Sequence, residues 1–208
     1  VYLPPAFAEP DTTVLHAVMR RHGFALLVTV LDGTPVATHL PLLLDAERGP
    51  HGTLWGHLAR PNHQWQGFGP GESLAVFQGP HAYVSPTWYT SAPAVPTWNY
   101  VAVHAYGTPQ VVDDPAAIRA GLDRLTAVYE GDGPGAYRPD WGIDFTTNLA
   151  KGIVAFELPI SRLEGKFKLS QNRSEADQAA VAARLAAAAE GDERALGVLM
   201  AERQRRQG

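Results

Sequence analysis

Two apolar rhythms alternate along the 208 residues and divide the chain into elements. Over 12–22, Val14, Leu15 and Val18 fall at helical spacing, with Asp11 placed as N-cap and Gly23 as terminator, so the first element is a short helix. Phe24–Leu31 is a nearly unbroken apolar run of strand length. Asp32-Gly33 follows it as a hairpin turn and predicts a partner strand over 35–44. Further strands are predicted over 53–58, 73–78, 98–106 and 108–112, with a short helix over 60–68. Short strands separated by turns suggest a barrel. Asp114-Pro115 opens a second helix carrying Ile118, Leu122, Leu125 and Val128 on one face and ending near Gly131. A Gly-, Pro- and Asp-rich loop over 131–139 precedes a late apolar strand over 153–160. From Ser174 an Ala-rich helix and a second one through Arg194 and Met200 make a helical C-terminal appendage over 174–203, with 204–208 expected to fray.

Composition narrows the class. A hydrophobic fraction of 45% with 18% charge is ordinary for a globular chain, and one domain over 1–208 is the expectation. The absence of cysteine excludes disulfides, thiolate metal sites and cysteine nucleophiles. The eight histidines show no metal-ligand spacing, so no metal is assigned. Prolines interrupt every long apolar run, no basic-then-apolar leader opens the chain, and the expectation is a cytoplasmic protein that meets no membrane. A net charge of −4 offers nucleic acid no global attraction, and Arg203, Arg205 and Arg206 are too few and too terminal to read a groove.

Residues 73–112 carry no charge, yet they hold Gln78, His81, Ser85, Thr87, Thr97, Asn99 and His104 among six Tyr and Trp side chains. Neutral hydrogen-bonding groups interleaved with aromatics describe the wall of a site for something flat and polar-edged. In 97–104, Thr97 and Asn99 share one face, and Trp98, Tyr100, Ala102 and His104 share the other. The segment Trp55-Gly56-His57-Leu58-Ala59-Arg60-Pro61-Asn62-His63 joins a strand end to a proline-started helix beside a guanidinium, which suits a phosphate; simple capping of a surface helix is an equally good reading. Thr38 and Leu40 share a strand face opposite His39, and Thr38 could bond a ligand edge or be satisfied within the sheet. Residues 166–173 are the most basic segment and read as a solvated cationic loop, or as a second phosphate or dimer contact. Gly-x-Ser-x-Gly, Walker and Gly-x-Gly-x-x-Gly signatures are lacking, which removes the hydrolase and Rossmann readings.

Several of these motifs, in order, resemble the PaiB-like FMN-binding proteins, known as negative transcriptional regulators. They are Ala37-Thr38-His39-Leu40-Pro41, Gly56-His57-Leu58-Ala59-Arg60 with Asn62, Gly79-Pro80-His81-Ala82-Tyr83-Val84-Ser85-Pro86, Val95-Pro96-Thr97-Trp98-Asn99-Tyr100, and Lys168-Leu169-Ser170-Gln171-Asn172-Arg173. The resemblance implies an α+β, mainly β fold: an FMN-binding split β-barrel with peripheral helices, related to pyridoxamine-phosphate-oxidase-like proteins. It implies a homodimer with FMN at the subunit interface. Gly56, His57, Ala59, Arg60 and Asn62 would hold the ribityl phosphate, Thr38 and Leu40 would meet the ring edge, and Trp98, Asn99, Lys168 and Gln171 would close the site. A flavin-dependent oxidoreductase of unknown substrate is the leading reading. A DNA-binding repressor and a haem-binding or haem-degrading protein are the alternatives. One departure is Thr90-Ser91-Ala92-Pro93-Ala94, shorter than the family's loop at this point and without its lysine.

Overall fold

Asp11 starts the first helix as its position implies: its Oδ1 accepts from the Thr13 amide at 2.8 Å. That helix, α1 (Thr12–Arg21), follows a two-residue strand β1 (Ala8–Glu9). The hairpin then forms where the turn residues place it. Asp32 and Gly33 adopt φ of 50° and 77°, the left-handed pair that a two-residue turn demands, between β2 (Phe24–Leu31) and β3 (Thr34–Pro41). The partner strand expected over 35–44 breaks at Leu42, whose amide turns back to the Gly23 carbonyl at 2.8 Å, and pairing resumes as β4 (Leu43–Asp45).

The remaining strands are β5 (Thr53–Ala59), β6 (Ser73–Val84), β7 (Thr97–Gly107), β8 (Gln110–Val112) and β9 (Ile153–Lys168). The helices are α2 (Pro115–Glu130), α3 (Asp144–Lys151), α4 (Glu175–Ala186) and α5 (Asp192–Gln207). This computed structural model describes residues 1–69 and 71–207, apart from the side chains of Arg206 and Gln207. Among the described residues no helix is long and apolar enough to cross a membrane.

The antiparallel sheet runs in the order β3-β2-β6-β7-β9-β5-β4, with β1 and β8 also pairing with β9; the path ends at β3 and β4 and does not close into a complete barrel. Three differences from the sequence reading stand out, and in the first two a strand runs on past a local stop signal. β6 continues through Gly79-Pro80 to Val84 instead of stopping at Gln78. β9 runs on to Lys168, so Lys166 to Lys168 are strand and not a solvated loop, and Lys166 is only 7% exposed. The helix α3 was not anticipated at all. The expected fraying over 204–208 is corrected as far as the chain is described: α5 stays helical to Gln207, and Gly208 lies outside the described residues.

Contacts along the chain define two compact units. The first comprises 1–18, 78–104 and 164–208, where α4 and α5 bury Val181, Leu185, Leu196 and Met200 and the strands bury Val101, Val103 and Phe167. On its part of β7, Asn99, Val101 and Val103 face the core, while Trp98 is 54% exposed and Tyr100, Ala102 and His104 are half-buried. The second comprises 19–77 and 105–163, with a core of Leu27, Leu40, Leu54, Leu58, Phe77, Phe156 and Leu158. There β2 is apolar on both sides. Ala25, Leu27 and Thr29 point inward, whereas Phe24, Leu26, Val28 and Val30 point outward beside Leu74 and Val76 of β6, with Phe24 66% and Val30 55% exposed. A strand with one face in water alternates apolar with polar, so this outward face has the composition of a covered one.

Candidate functional site

In the second unit, the residues assigned to the phosphate and ring edge converge through one buried amide. Gln64, 1% exposed, donates from Nε2 to the Leu27 carbonyl at 2.9 Å, the Val36 carbonyl at 3.2 Å and Thr29 Oγ1 at 3.3 Å. Its Oε1 accepts from Thr38 Oγ1 at 2.5 Å, and Thr38 Oγ1 in turn accepts from Asn62 Nδ2 at 2.9 Å. Asn62 Oδ1 accepts from the Gln64 amide at 3.0 Å and closes the ring of bonds. Thr38 and Asn62, two of the predicted site residues, are thus held side by side and rigidly aimed. Sequence reasoning missed Gln64. The only signal was a glutamine two residues after an Asn in a segment otherwise marked by turn residues.

The helix expected over 60–68 is a correction. The segment forms a five-residue 3-10 helix, His63–Gly67, capped by Asn62. The Arg60 and Asn62 amides are spent on the Gly152 and Ala59 carbonyls, both at 2.8 Å, and the Gln64 amide on Asn62 Oδ1, so these three N–H groups are not open to a phosphate. The exposed Arg60 guanidinium donates from Nε to the Lys151 carbonyl at 3.0 Å and from Nη2 to the Ile153 carbonyl at 2.7 Å, which fixes its plane and leaves its other N–H groups outward. Gly56 has a packing role: a Cβ there would stand 2.6 Å from Leu42 Cδ2 and 3.2 Å from Phe156 Cζ. Leu40 is core, 3% exposed, and Ala59 is exposed at the end of β5.

His57 is the chemically distinctive member. Its ring lies 5.9 Å from that of Trp55, and its Nδ1 is buried with no hydrogen-bond partner among the described residues. Burial lowers its pKa, so the imidazole is neutral at pH 7 and keeps an unused polar atom.

The other four predicted residues belong to the first unit. Lys168 donates from Nζ to Thr97 Oγ1 at 2.7 Å and to the Trp98 carbonyl at 2.6 Å, with the Phe7 ring 5.9 Å away. Desolvation, then the charges of Lys166 and Arg173, lower its pKa. Trp98 presents its exposed ring to His81 at 6.3 Å and to Tyr83 at 6.1 Å, an aromatic surface beside a cation. Asn99 sits on the opposite face of the strand. It is fully buried, donating to Ser170 Oγ at 2.9 Å, with Oδ1 left without a partner among the described residues. Gln171 is engaged locally: its Oε1 accepts from the Leu169 amide at 2.6 Å and its Nε2 donates to the Phe167 carbonyl. Lys168 and Trp98 are therefore together on an open face, while Asn99 and Gln171 are turned to internal bonds.

Within the second unit, a neutral polar network, an oriented guanidinium with spare donors and an unpaired buried imidazole nitrogen suit an anionic, polar-edged ligand. Solved structures show this fold in the flavin-binding split-barrel class. The flavocytochrome Anf3 from Azotobacter vinelandii superposes with a TM-score of 0.64 at 13% identity, over 83% of this chain and 75% of that one. The FAD and heme binding protein from Mycobacterium smegmatis does so with a TM-score of 0.62 at 18% identity, over 83% and 79%. In sequence, the chain is 35% identical over 182 residues to the Bacillus subtilis (strain 168) "Protease synthase and sporulation protein PAI 2", covering 85% of each. The family described as "Putative FMN-binding domain" matches residues 1–162, and the chain belongs to that family. FMN is accordingly the cofactor assigned to it.

Proposed function

We propose that the chain is a homodimeric FMN protein that performs flavin redox chemistry on a small substrate. The observation carrying this reading is the uncharged outward face of β2 and β6 in the second unit. Phe24, Leu26, Val28, Val30, Leu74 and Val76 would all gain from removal from water, and a second copy supplies that cover while closing the flavin site. Arg60 takes the phosphate through its outward N–H groups, Thr38 and Asn62 hold the neighbouring polar edge, and His57 offers its unused nitrogen to a flavin donor. FMN when bound supplies the electron and hydride chemistry; these side chains bind it, orient it and exclude water. A repressor role draws no support from the charge: Arg203, one of the terminal arginines, is bound to Glu9.

Titrating the protein with FMN and with riboflavin, by flavin fluorescence, tests the assignment. Arg60→Ala is expected to weaken FMN at least about tenfold and to leave riboflavin unchanged, because only FMN carries the phosphate. Equal weakening of both flavins would remove Arg60 from the phosphate role. A Soret band on haem addition, with no flavin uptake, would favour the haem reading instead.

A further inference from the structure

A separate hollow opens in the second unit where α2 lies over β5. Gly121 lets the helix touch the strand, since a Cβ there would stand 2.2 Å from the Trp55 ring. Farther along α2, Arg124, Ala127 and Val128 face β4 and the end of α1 across a cavity of about 710 Å³. That volume is in the range of small-molecule sites. Leu42, Leu44, Trp55, Ala127 and Val128 make an apolar floor, and the walls are held by bonds of their own. The Leu42 amide donates to the Gly23 carbonyl at 2.8 Å, and Thr53 Oγ1 donates to the Arg48 carbonyl at 2.9 Å. Charge on the lining says what the cavity takes. Arg48 is already neutralised, because its guanidinium donates to both Glu157 oxygens at 2.6 and 2.7 Å. Arg20, in the last turn of α1, and Arg124 are exposed and make no hydrogen bond or ion pair among the described residues. Two uncommitted guanidinia beside an apolar floor match a negative group on an apolar body. Asp45 and Glu47 share the lining and repel a dianion, so a singly charged carboxylate fits better than a phosphate ester.

We propose that this cavity binds an amphipathic carboxylic acid, its apolar body on the Leu42, Trp55 and Val128 floor and its carboxylate at Arg20 and Arg124. Arg60, Thr38, Asn62 and His57 take no part in the lining, so the site is additional to the one assigned to the flavin. It requires neither bound FMN nor a second copy of the chain. Trp55 is the link between the two sites. It floors the cavity, and its ring lies 5.9 Å from that of His57, so an acid seated there lies against the residue that packs on the unpaired imidazole.

Titration calorimetry of the full chain, with and without FMN, against decanoate, decylamine and decanol separates the head group from the shared apolar body. Decanoate is expected to bind at least about tenfold more tightly than the amine or the alcohol. Arg20→Gln combined with Arg124→Gln changes two exposed positions. The pair is expected to weaken decanoate at least about tenfold while decanol binding, FMN affinity and the circular dichroism spectrum stay as in the parent. Val128→Trp, which fills the floor, is expected to weaken decanoate and decanol alike. No binding of decanoate, equal binding of decanoate and decanol, tighter binding of decylamine, or a double variant that binds decanoate like the parent would each overturn the proposal. Decanoate that displaces bound FMN would put the acid in the flavin site and overturn the separate cavity while the flavin reading stands. A chain that takes up no FMN yet binds decanoate through Arg20 and Arg124 would sink the flavin reading and leave this site in place.

Discussion

Replacing Gln64 with leucine removes the amide that fastens the 3-10 helix to the β2–β3 hairpin, and its effect can be worked from the bonds it makes. Two N–H groups are shared among the Leu27 and Val36 carbonyls and Thr29 Oγ1, and one acceptor takes the Thr38 hydroxyl, so three hydrogen bonds are lost at a site 1% exposed. A neutral bond contributes about 1 kcal/mol net and a buried group left unpaired costs about 1–3 kcal/mol, while leucine fills much of the same volume. A loss of about 3–4 kcal/mol follows. Urea unfolding of the flavin-free protein measures it through the midpoint at unchanged slope. Gln64→Glu sharpens the test, because a carboxylate cannot donate to two carbonyls. Its defect should exceed that of the leucine variant at pH 7 and shrink as the pH falls and the carboxyl becomes a donor. A change below about 1 kcal/mol for Gln64→Leu would refute the claim that this network holds Thr38 and Asn62 in place.

Three other outcomes are expected. Gly121→Ala places a Cβ 2.2 Å from the Trp55 ring and forces α2 off the sheet, so a loss of about 1–3 kcal/mol should appear in thermal melts, with altered tryptophan emission. The folded-state pKa of His57 lies below the ordinary histidine value, so the unfolded chain takes up the extra proton first on acidification. Stability is then full above the ordinary value and falls in the window beneath it, and melting temperatures recorded from pH 8 to 5 should decline less in His57→Leu than in the parent. Asp177, fully buried, accepts from the amides and hydroxyls of Thr90 and Ser91, which hold its carboxyl well below the usual range. Its contribution is complete at neutral pH and disappears as pH falls through that depressed value. Asp177→Asn should therefore expose the loop after Tyr89 to proteolysis at pH 7, and equal cleavage rates in parent and variant would count against the anchor.

The short loop at 90–94 shows how much of the molecule could be seen in advance. Its small polar residues were visible in the sequence, but the Asp177 carboxylate that accepts from Thr90 and Ser91 was not, because the two are 87 positions apart and only the fold joins them. Local signals served well where they act locally: the Asp11 and Asp114 caps, the Asp32-Gly33 turn and the β2 run all form as their chemistry dictates. They failed where tertiary pairing decides. Pro80 did not end β6, Lys166 was drawn into a strand between the Tyr2 and Tyr100 rings, and α3 hides its periodicity because its apolar side faces out. At the site, the motifs could not show that the Lys151 and Ile153 carbonyls fix the Arg60 guanidinium, nor that the Asn99 amide nitrogen and both ends of the Gln171 amide bond internally.

The central claim is that a second copy is needed to complete a site for FMN. Adding FMN to the flavin-free protein while recording bound flavin and molar mass by light scattering tests it in one sample. The account predicts one FMN per chain on a particle of twice the chain mass, with flavin uptake falling as dilution splits the particle. Stoichiometric FMN on a particle of single-chain mass, or a dimer that takes up no flavin, would contradict it.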